Sequence, residues 1–436
     1  MGNDNAFLLF YHRLKAILAV LIYRFPSRNL IVIGVTGTNG KTTTCNVLTH
    51  LLEASGYRVG MLSSINMKVG NQLKENATKM STQSPFVVQK LLREMVKAGC
   101  THAVIEVTSH AVTQSRVYGI NFDVGVFTNI SEDHLDYHGS FANYLEAKAR
   151  FIGSLQGMRR KRGVPKVLVL NNDDPEFAYF DQFNADKKYT FGLDKGVVVG
   201  SELKLLASGS EFRVVAPNVD FLARTKLIGD FNVYNCLAAI SVCLSQGISL
   251  ETIAQGLKTM HPLPGRYEPV AINQPYTVIV DYAHTEDALA KLCTIFRGLT
   301  VGGGEAGSAD SKLILVFGCT GGGRDKAKRP KMGKVAAELA DIVILTNDDP
   351  YEENELEIIE QIAAGIERAE GDRLYKIVDR RLAIELAMSL AGPGDTILLA
   401  GKGSEPVIAL GDKLLPWDDR TVVRELADKN YVMELN

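Results

Sequence analysis

A glycine-rich turn that ends in a lysine and three threonines carries the clearest chemistry in this sequence. It follows an apolar run and reads IVIGVTGTNGKTTT over residues 31–44. A buried strand that runs into such a turn and opens a helix presents backbone N–H groups to an anion. Gly37 and Gly40 let the backbone bend around phosphates, Lys41 can reach their oxygens, and the Thr42 hydroxyl can ligate Mg²⁺. The segment predicts a P-loop, although Val35 stands where the strict pattern has glycine.

Glu106 is a candidate metal ligand for the same site. It lies near the end of a second predicted strand, His102–Val107, and the polar residues Thr108, Ser109 and His110 follow. In P-loop folds a carboxylate at the end of a neighbouring strand commonly binds the Mg²⁺ of the nucleotide. A strand-end glutamate can also be merely solvated, but the P-loop favours the metal.

A dense polar group follows the next apolar strand, Phe122–Ile130. Two histidines, two aspartates and an asparagine lie within ten residues: Asn129, Asp133, His134, Asp136 and His138. This combination suits a metal or phosphate site better than a packed core, and a hydrogen-bonded loop is the alternative. Lys148 follows on a predicted helix, where a lysine is ordinarily exposed.

The composition is that of a globular protein with more than one domain. The chain has 436 residues, 46% of them hydrophobic and 22% charged, and a formal net charge of −2. Since one core stops growing near about 250–300 residues, we expect two or three domains. The near-neutral charge disfavours nucleic-acid binding. Six cysteines without a C-x-x-C pair argue against a zinc ribbon or disulfide framework and indicate reduced thiols in the cytoplasm.

One segment near the N-terminus is strongly apolar. Residues 7–24 read FLLFYHRLKAILAVLIYR, but Arg13 and Lys15 leave too short an uncharged run to cross a bilayer. No small-residue cleavage site precedes Pro26, which disfavours a signal peptide. Two interpretations stay open: docking on the protein's own core, which we favour, and peripheral contact with a membrane surface.

Apolar strands that alternate with helices predict an α/β fold in two main parts. We expect a central P-loop ATPase domain with a parallel sheet over residues 31–262, after an N-terminal apolar helix or leader over residues 1–30. Within it, residues 187–226 predict an antiparallel addition. HPLPGR at 261–266 indicates a hinge. Residues 263–436 then predict a Rossmann-like doubly wound α/β domain, with ligands beyond the carboxyl ends of its strands.

A series of motifs, met in order along the chain, closely resembles the Mur ligase family. The motifs are GTNGKTTT, EVTSH, FTNISEDHLDYHG with YLEAK, NNDD, GDFNVYN, PLPGR, DYAHTEDAL, FGCTGGGRDKAKRP, GKGSE and WDDR. They extend from residue 31 to the C-terminus and are nearest to the UDP-N-acetylmuramyl-tripeptide synthetase branch. The resemblance implies an ATP-dependent, ADP-forming ligase of peptidoglycan precursor synthesis, and hence of cell-wall biogenesis, cell shape and division. It would join an amino acid to a carboxylate of a muramyl-peptide-like acceptor through an acyl phosphate.

Roles implied by the resemblance fall on matching positions. Catalytic roles fall on Lys41, Glu106, His134 and Lys148. ATP contacts fall on Gly37, Thr38, Asn39, Gly40, Lys41, Thr42, Thr43, Asn171, Asn232, Arg266, Asp281, His284 and Lys326. Substrate contacts fall on Thr82, Thr108, Gln114, Arg116, Asp348, Asp349, Tyr351, Lys402, Ser404 and Glu405. For Asn232 a simple helix N-cap is the alternative.

The implied cofactors are ATP and two Mg²⁺ ions. Thr42 and Glu106 match ligands of the first ion, and His134 matches a ligand of the second. Lys148 matches a carbamylated lysine of the family, because CO₂ addition turns a cation into a carboxylate that can approach a metal. The implied partners are small-molecule substrates, and we expect a monomer or a weak oligomer.

Two departures from the family pattern bear on the substrates. Members that add diaminopimelate have Asp-Asn-Pro-Arg where this chain has Asp348, Asp349, Pro350 and Tyr351, and the usual GKGHE is GKGSE here. Tyrosine cannot replace the bidentate fork of arginine, which argues against diaminopimelate and leaves lysine or another amino acid open. Only thirty residues precede the P-loop strand, so we expect the usual N-terminal uridine-nucleotide-binding domain to be lacking.

Two other classes of function remain as alternatives. A folylpolyglutamate or cyanophycin-type ligase shares the same ATP chemistry, and the DYAH, RDK and WDDR motifs favour the muramyl branch over it. A non-ligase P-loop NTPase would not need a second α/β domain with several polar strand ends. Amino-acid-stimulated ADP release distinguishes a ligase from such an NTPase.

Overall fold

The computed structural model describes residues 6–76, 80–133, 135–206, 208–301 and 311–434. The chain forms two compact units that divide between Met260 and His261, with residues 206–208 grouped with the second. The N-terminal helix belongs to unit 1.

Unit 1 is built on an eleven-stranded sheet. Its strands are β1 (Ile31–Thr36), β2 (Val59–Leu62), β3 (Asn66–Val69), β4 (Gln72–Glu75), β5 (His102–Glu106), β6 (Val124–Phe127), β7 (Val167–Asn171), β8 (Lys187–Gly192), β9 (Val198–Leu206), β10 (Gly209–Ala216) and β11 (Val219–Thr225). Their order is β11-β10-β9-β8-β7-β6-β1-β5-β2-β3-β4. The pairs from β2 through β5, β1, β6, β7 and β8 to β9 are parallel.

The expectation of an antiparallel addition over residues 187–226 is wrong for its first half. β8 pairs in parallel with β7, and β9 pairs in parallel with β8, whereas β10 and β11 are antiparallel. The short helix between β7 and β8 provides the crossover that a parallel pair requires. The central parallel sheet therefore extends further than the polar-apolar alternation indicates.

Nine helices are described in unit 1. They are α1 (Ala6–Ile22), α2 (Lys41–Ala54), α3 (Pro85–Lys97), α4 (Ser109–Thr113), α5 (Leu135–His138), α6 (Phe141–Ser154), α7 (Phe177–Asp181), α8 (Asp230–Ser245) and α9 (Leu250–Thr259). The strands β1, β5, β6 and β7 are buried almost throughout, as expected for a parallel sheet with helices on both faces.

The first helix lies against α3 and covers part of unit 1. Ala16, Ala19 and Val20 are buried on its inner side. Arg13 stacks on the ring of Tyr118, with its guanidinium carbon 4.0 Å from the ring centroid. This docking is the interpretation favoured from the sequence. Among the described residues, none of the helices has the length and apolar character needed to cross a bilayer.

A buried aspartate joins three segments at the amino-terminal edge of the same sheet. Asp123 is fully buried and accepts a hydrogen bond from the Val32 backbone N–H at 2.9 Å. Its carboxylate pairs with Lys166 at 3.1 Å and with Lys161. A buried carboxylate needs such partners because removing it from water is costly.

Unit 2 is a six-stranded sheet with a separate hairpin. The strands are β12 (Glu268–Pro269), β13 (Thr277–Asp281), β14 (Leu313–Phe317), β15 (Ile342–Leu345), β16 (Leu374–Lys376), β17 (Thr396–Ala400), β18 (Val407–Leu410) and β19 (Lys413–Pro416). The sheet order is β12-β13-β17-β14-β15-β16, parallel except for β12, and β18 pairs with β19 alone.

The described helices of unit 2 are α10 (Glu286–Val301), α11 (Lys328–Leu339), α12 (Glu355–Ala363), α13 (Arg380–Leu390) and α14 (Asp419–Glu434). Alternation of these helices with parallel strands gives the doubly wound arrangement predicted from the sequence. The predicted polar segments follow the carboxyl ends of β13, β14, β15 and β17.

Candidate active site

The phosphate loop joins β1 to α2 in the geometry that its glycines require. Gly37 has φ +153° and Gly40 has φ +80°. A Cβ atom on Gly37 would lie 1.9 Å from Thr128 Oγ1, and one on Gly40 would lie 2.1 Å from Asn235 Oδ1. Both positions therefore need glycine for backbone conformation and for space.

Side chains around the loop fix its shape. Asn129 accepts a hydrogen bond from the Asn39 backbone N–H at 2.9 Å, and the Thr38 hydroxyl lies 3.1 Å from the hydroxyl of Tyr144. Lys41 donates to the Thr38 carbonyl at 2.7 Å, which places its ammonium group at the mouth of the loop. The next residues, Thr42 and Thr43, are in the first turn of α2. Backbone N–H groups at a helix N-terminus suit a phosphate anion.

The Glu106 carboxylate accepts hydrogen bonds from Thr42 at the start of α2 and from Ser64 in the loop after β2. Its Oε2 accepts from the Thr42 hydroxyl at 2.9 Å and from the Ser64 backbone N–H at 2.8 Å, and its Oε1 accepts from Ser64 Oγ at 2.7 Å. The Ser64 hydroxyl also lies 2.6 Å from that of Ser81. These contacts hold the Glu106 carboxylate beside the hydroxyl of Thr42.

The pair formed by Thr42 and Glu106 fits one Mg²⁺ ion. Proteins commonly bind Mg²⁺ through one or two carboxylates together with substrate phosphates. Among the described residues, no group of three or more His, Cys, Asp and Glu side chains is arranged to hold a metal by itself. The phosphates of a nucleotide would then complete the coordination. His134, the expected ligand of a second ion, lies outside the described residues.

Lys148 is buried at the base of the phosphate loop. Its side chain is 1% exposed, and its Nζ donates to the Gly37 carbonyl at 2.6 Å and lies 4.3 Å from the centroid of the Tyr144 ring. It forms no ion pair with the residues that the structure describes. Burial, reinforced by the charge of Lys41, holds the pKa of Lys148 well below its ordinary value. The shift favours the neutral amine more than in an exposed lysine, although the charges of Asp133 and Glu106 oppose it.

The predicted acceptor-binding residues lie together beside Glu106. Thr82 Oγ1 donates to the Glu106 backbone carbonyl at 2.8 Å, and Arg116 donates to the Thr82 carbonyl at 2.8 Å and to Gln114. Thr108 caps α4 by accepting from the Ala111 N–H. These contacts bring a guanidinium group close to the carboxyl end of β5, where it can pair with an anionic substrate.

The predicted nucleotide asparagines are largely engaged within unit 1. Asn171 donates to the Thr128 carbonyl at 2.8 Å, and Asn232 donates to the Ile228 carbonyl at 2.8 Å. Gly229, rather than Asn232, is the N-cap of α8. Asn232 is therefore not the helix N-cap that the sequence offered as an alternative. Its side chain instead makes a local hydrogen bond to the Ile228 carbonyl.

The predicted nucleotide residues of unit 2 surround the end of β13. Asp281 accepts from the N–H groups of Tyr267 and Ala283, both at 2.8 Å, and burial raises its pKa. His284 Nδ1 lies 2.9 Å from the Tyr282 carbonyl, and burial lowers the pKa of this imidazole. The guanidinium of Arg266 lies 4.8 Å from the Tyr282 ring centroid.

Lys326 makes its ion pair away from Asp281, His284 and Arg266. Its Nζ lies 3.0 Å from Glu353, which also accepts from Arg329 at 3.0 Å. The two cations lower the pKa of Glu353 to about 2. Lys326 is nevertheless more than half exposed and can change its partner.

A buried charge cluster follows β15 and β17. Lys402 is fully buried, and its Nζ lies 2.8 Å from Glu405, 2.9 Å from Asp349 and 3.7 Å from Asp348. Burial alone would lower the pKa of Lys402, but these carboxylates raise it. Burial also raises the pKa of Asp348 to about 6, against the effect of Lys402. Ser404, between Lys402 and Glu405 in the sequence, is half-buried.

Tyr351 stands beside the cluster in a left-handed backbone conformation with φ +51°. Its N–H donates to the Ala409 carbonyl at 3.1 Å, and its carbonyl accepts from Gly411 at 2.8 Å. The β18–β19 hairpin thus fixes the backbone of Tyr351 through both its N–H and its carbonyl.

Two groups of residues were missed from the sequence. Ser64 holds Glu106 and is itself hydrogen-bonded to Ser81, yet isolated serines in loops carry no pattern. Arg380 forms a buried pair with Asp419 at 2.7 and 2.8 Å and donates to the Asn347 and Ala400 carbonyls. The WDDR motif pointed to Asp419, but nothing marked Arg380.

Family models and known proteins match this chain along most of its length. The model described as Mur ligase middle domain matches residues 35–243, and that described as Mur ligase, glutamate ligase domain matches residues 265–403. A UDP-N-acetylmuramoyl-L-alanyl-D-glutamate--2,6-diaminopimelate ligase of Geobacillus kaustophilus is 40% identical, with 94% of this chain and 82% of that protein covered.

A second relative and a solved structure agree with this match. A UDP-N-acetylmuramyl-tripeptide synthetase of Roseiflexus sp. is 39% identical over 95% of this chain and 82% of its own length. A solved UDP-N-acetylmuramoyl-L-alanyl-D-glutamate--2,6-diaminopimelate ligase aligns with a TM-score of 0.67 and 31% identity, covering 92% of this chain and 79% of its own.

Proposed function

Because this chain belongs to the Mur ligase family of ATP-dependent, ADP-forming ligases, we propose that it adds a cationic amino acid to a muramyl-peptide-like acceptor. The observation that carries the proposal is the phosphate loop with Thr42, Glu106 and Arg116 gathered around it. ATP and Mg²⁺ are the cofactors that this family uses, and the geometry of Thr42 and Glu106 suits the metal.

The residues of unit 1 support transfer of a phosphoryl group to the acceptor carboxylate. Lys41 can neutralise phosphate oxygens, while Thr42 and Glu106 would hold a metal ion, which would supply charge stabilisation to the transferred group. Arg116 can hold an anionic group of the acceptor. When bound, Mg²⁺ supplies the electrostatic stabilisation that phosphoryl transfer requires.

Lys148 supports a covalent step before catalysis. Its low pKa favours the amine form, the form that attacks CO₂. A bond forms between Nζ and the carbon of CO₂, and the amine releases one proton to solvent, so that a carbamate replaces a neutral amine. A buried carbamate would attract a second Mg²⁺, for which His134 is the other expected ligand.

The charge cluster of unit 2 supports an amino acid with a terminal ammonium group. Asp348, Asp349 and Glu405 surround Lys402, and the nearby cation Arg380 is paired with Asp419, so carboxylates exceed cations there. Tyr351 offers no guanidinium to a second carboxylate of the substrate. These features favour lysine, or a similar diamino monocarboxylate, over diaminopimelate.

ADP release measured with each substrate omitted in turn tests the activity. We expect release to require both a muramyl dipeptide acceptor and an amino acid, and acceptors with and without UDP should both be supplied. ADP release at the same rate without acceptor and amino acid would instead indicate a simple NTPase. Mass spectrometry of the product identifies the added residue.

Substitution of Tyr351 by arginine tests the amino-acid choice separately. We expect the ratio of kcat/KM for diaminopimelate to that for lysine to rise about tenfold, because a bidentate arginine pair adds on the order of 1–2 kcal/mol. Tyr351→Phe is the control and should leave the ratio unchanged. A wild-type protein that prefers diaminopimelate would overturn this choice without affecting the assignment as a ligase.

The assembly and location of the protein complete the proposal. We infer a cytoplasmic monomer or weak oligomer, in which residues 7–24 touch a membrane peripherally.

A further inference from the structure

The outer side of α1 is a continuous stripe of large apolar side chains. Phe10, Leu14, Ile17, Leu18 and Leu21 follow helical spacing along one side. Phe10 is 60% exposed, Leu18 is 52% exposed, and Leu21 and Ile22 are each 56% exposed. A contiguous stripe of large apolar side chains on a water-facing helix calls for an occupant, since soluble surfaces rarely expose contiguous apolar patches larger than about a few hundred Å².

The opposite side of the helix is already occupied. Ala16, Ala19 and Val20 are buried against unit 1, and small side chains allow α1 to lie close to α3. The exposed stripe is therefore distinct from the side of α1 that packs on unit 1 through Ala16, Ala19 and Val20. A helix that needed only to cover the core of unit 1 would have polar residues in these outer positions.

Positive charges border the stripe on both sides. At about 100° per residue, Arg13 and Lys15 fall on opposite margins of the exposed apolar arc. Arg24 and Arg28 follow at the C-terminal end, and no acidic residue occurs between Asp4 and Glu53. Arg13 and Lys15 each lie over an aromatic ring, those of Tyr118 and Tyr11, at 4.0 and 4.2 Å.

We propose that α1 is a docking surface for an anionic lipid bilayer, with the stripe in the acyl region and Arg13 and Lys15 at the phosphates. Amphipathic helices lie in the membrane interface in this way, and long cationic side chains extend toward the headgroups. The charge of the helix complements anionic lipid. A symmetric contact with a second copy would instead place the same cations opposite one another with no acid from the helix to pair with them.

Vesicle sedimentation with the full chain tests the proposal without ATP, acceptor or amino acid. We expect partitioning to vesicles that contain phosphatidylglycerol and much weaker partitioning to phosphatidylcholine alone. The double variant Arg13→Glu, Lys15→Glu should lose at least about tenfold in partitioning to the anionic vesicles, since each basic residue near such a surface contributes about fivefold. Added salt should weaken wild-type binding.

Variants of the stripe separate apolar insertion from charge attraction. Leu14→Ser with Leu18→Ser should lower partitioning at least about tenfold, because burial of each leucine side chain is lost. Leu222→Ser, at an exposed leucine on β11, is the matched control and should bind like wild type. Circular dichroism checks that both variants keep their helical content.

Three results would overturn the proposal. The first is the absence of sedimentation with anionic vesicles, and the second is equal binding to neutral and anionic vesicles. The third is a wild-type protein that self-associates in sedimentation velocity and does not bind lipid, with the self-association abolished in the variant Leu14→Ser with Leu18→Ser. That result would assign the stripe to contact with a second copy of the chain. Since these measurements use no ligase substrates, their failure is distinct from a failure of the proposed activity.

Discussion

Two buried lysines, one in each unit, lie near the carboxyl ends of parallel strands, and their pKa values are shifted in opposite directions. Lys148 of unit 1 donates to a backbone carbonyl, and its pKa is held well below its ordinary value by burial. Lys402 of unit 2 is as deeply buried, but three carboxylates raise its pKa. The neighbours of a buried amine, and not its burial alone, decide whether it stays a cation.

The difference suggests different uses for the two lysines. A buried neutral amine keeps a nucleophile available for reaction, which suits Lys148 at the phosphate loop. A buried cation with several partners instead holds its surroundings in place, which suits Lys402 among Asp348, Asp349 and Glu405. Substitutions should therefore affect activity in unit 1 and folding stability in unit 2.

The largest effect is expected at the phosphate loop itself. Lys41→Ala should lower the rate of ADP formation by about 10³-fold or more, because a cation at the transferred phosphoryl group is lost. Its folding stability should stay close to that of wild type. Lys90→Ala, at an exposed lysine of α3, is the control. A Lys41→Ala enzyme with near wild-type turnover would show that the active site lies elsewhere.

Lys402→Met should act on stability instead. It leaves Asp348, Asp349 and Glu405 without their shared cation, and breaking a buried charge network typically costs about 3–5 kcal/mol. Urea denaturation measures the change in the free energy of unfolding. Lys90→Met serves as the matched surface substitution. A loss below about 1 kcal/mol for Lys402→Met would mean that the carboxylates find other partners.

Lys148→Ala should lower the rate about 100-fold, since a metal ligand would be lost, while leaving the protein folded. Added acetate or formate should restore part of the activity by filling the position of the carbamate. The same anions should do nothing for Lys402→Met. Full activity of Lys148→Ala without any added anion would contradict a carbamate, as would a free ammonium group at Lys148 in a crystal of the nucleotide complex.

The smallest effect is a pH dependence that belongs to unit 2. Burial raises the pKa of Asp348 to about 6 in the folded state, so between its unfolded pKa and about pH 6 the folded chain binds more protons than the unfolded chain. Stability from this group is present at low pH and is lost as the pH rises through 6. Asp348→Asn should therefore gain stability relative to wild type between pH 4 and pH 7, as measured by urea denaturation. A constant difference across that range would exclude this titration.

The sequence predicted the α/β class and the phosphate loop because their signals are local. Strand, glycines, lysine and helix follow one another within residues 31–54, and the family matches confirm the fold and the ligase class. The burial of Lys148 also had a signal. It shares helical spacing with Tyr144, Phe151 and Ile152, all buried on the inner side of α6, but lysine chemistry alone suggested exposure.

Other features depended on contacts that the sequence does not encode locally. Ser64 meets Glu106 across 42 residues, and Arg380 meets Asp419 across 39. Neither pair has a periodic pattern, because each joins loops or helix starts that come together only in the folded sheet. The parallel pairing of β8 was missed for a related reason: the direction of a strand depends on its crossover and not on its own residues.

Asp123 has a consequence for how unit 1 assembles. Its partners Val32, Lys161 and Lys166 lie 91, 38 and 43 residues from it along the chain, so the desolvated carboxylate is fully compensated only when all of them have met. Folding intermediates that contain β6 but lack the segment leading into β7 therefore have a higher free energy. The region from β1 to β7 should accordingly unfold as one cooperative block, and hydrogen exchange should give the backbone amides of β1, β6 and β7 a common free energy of opening.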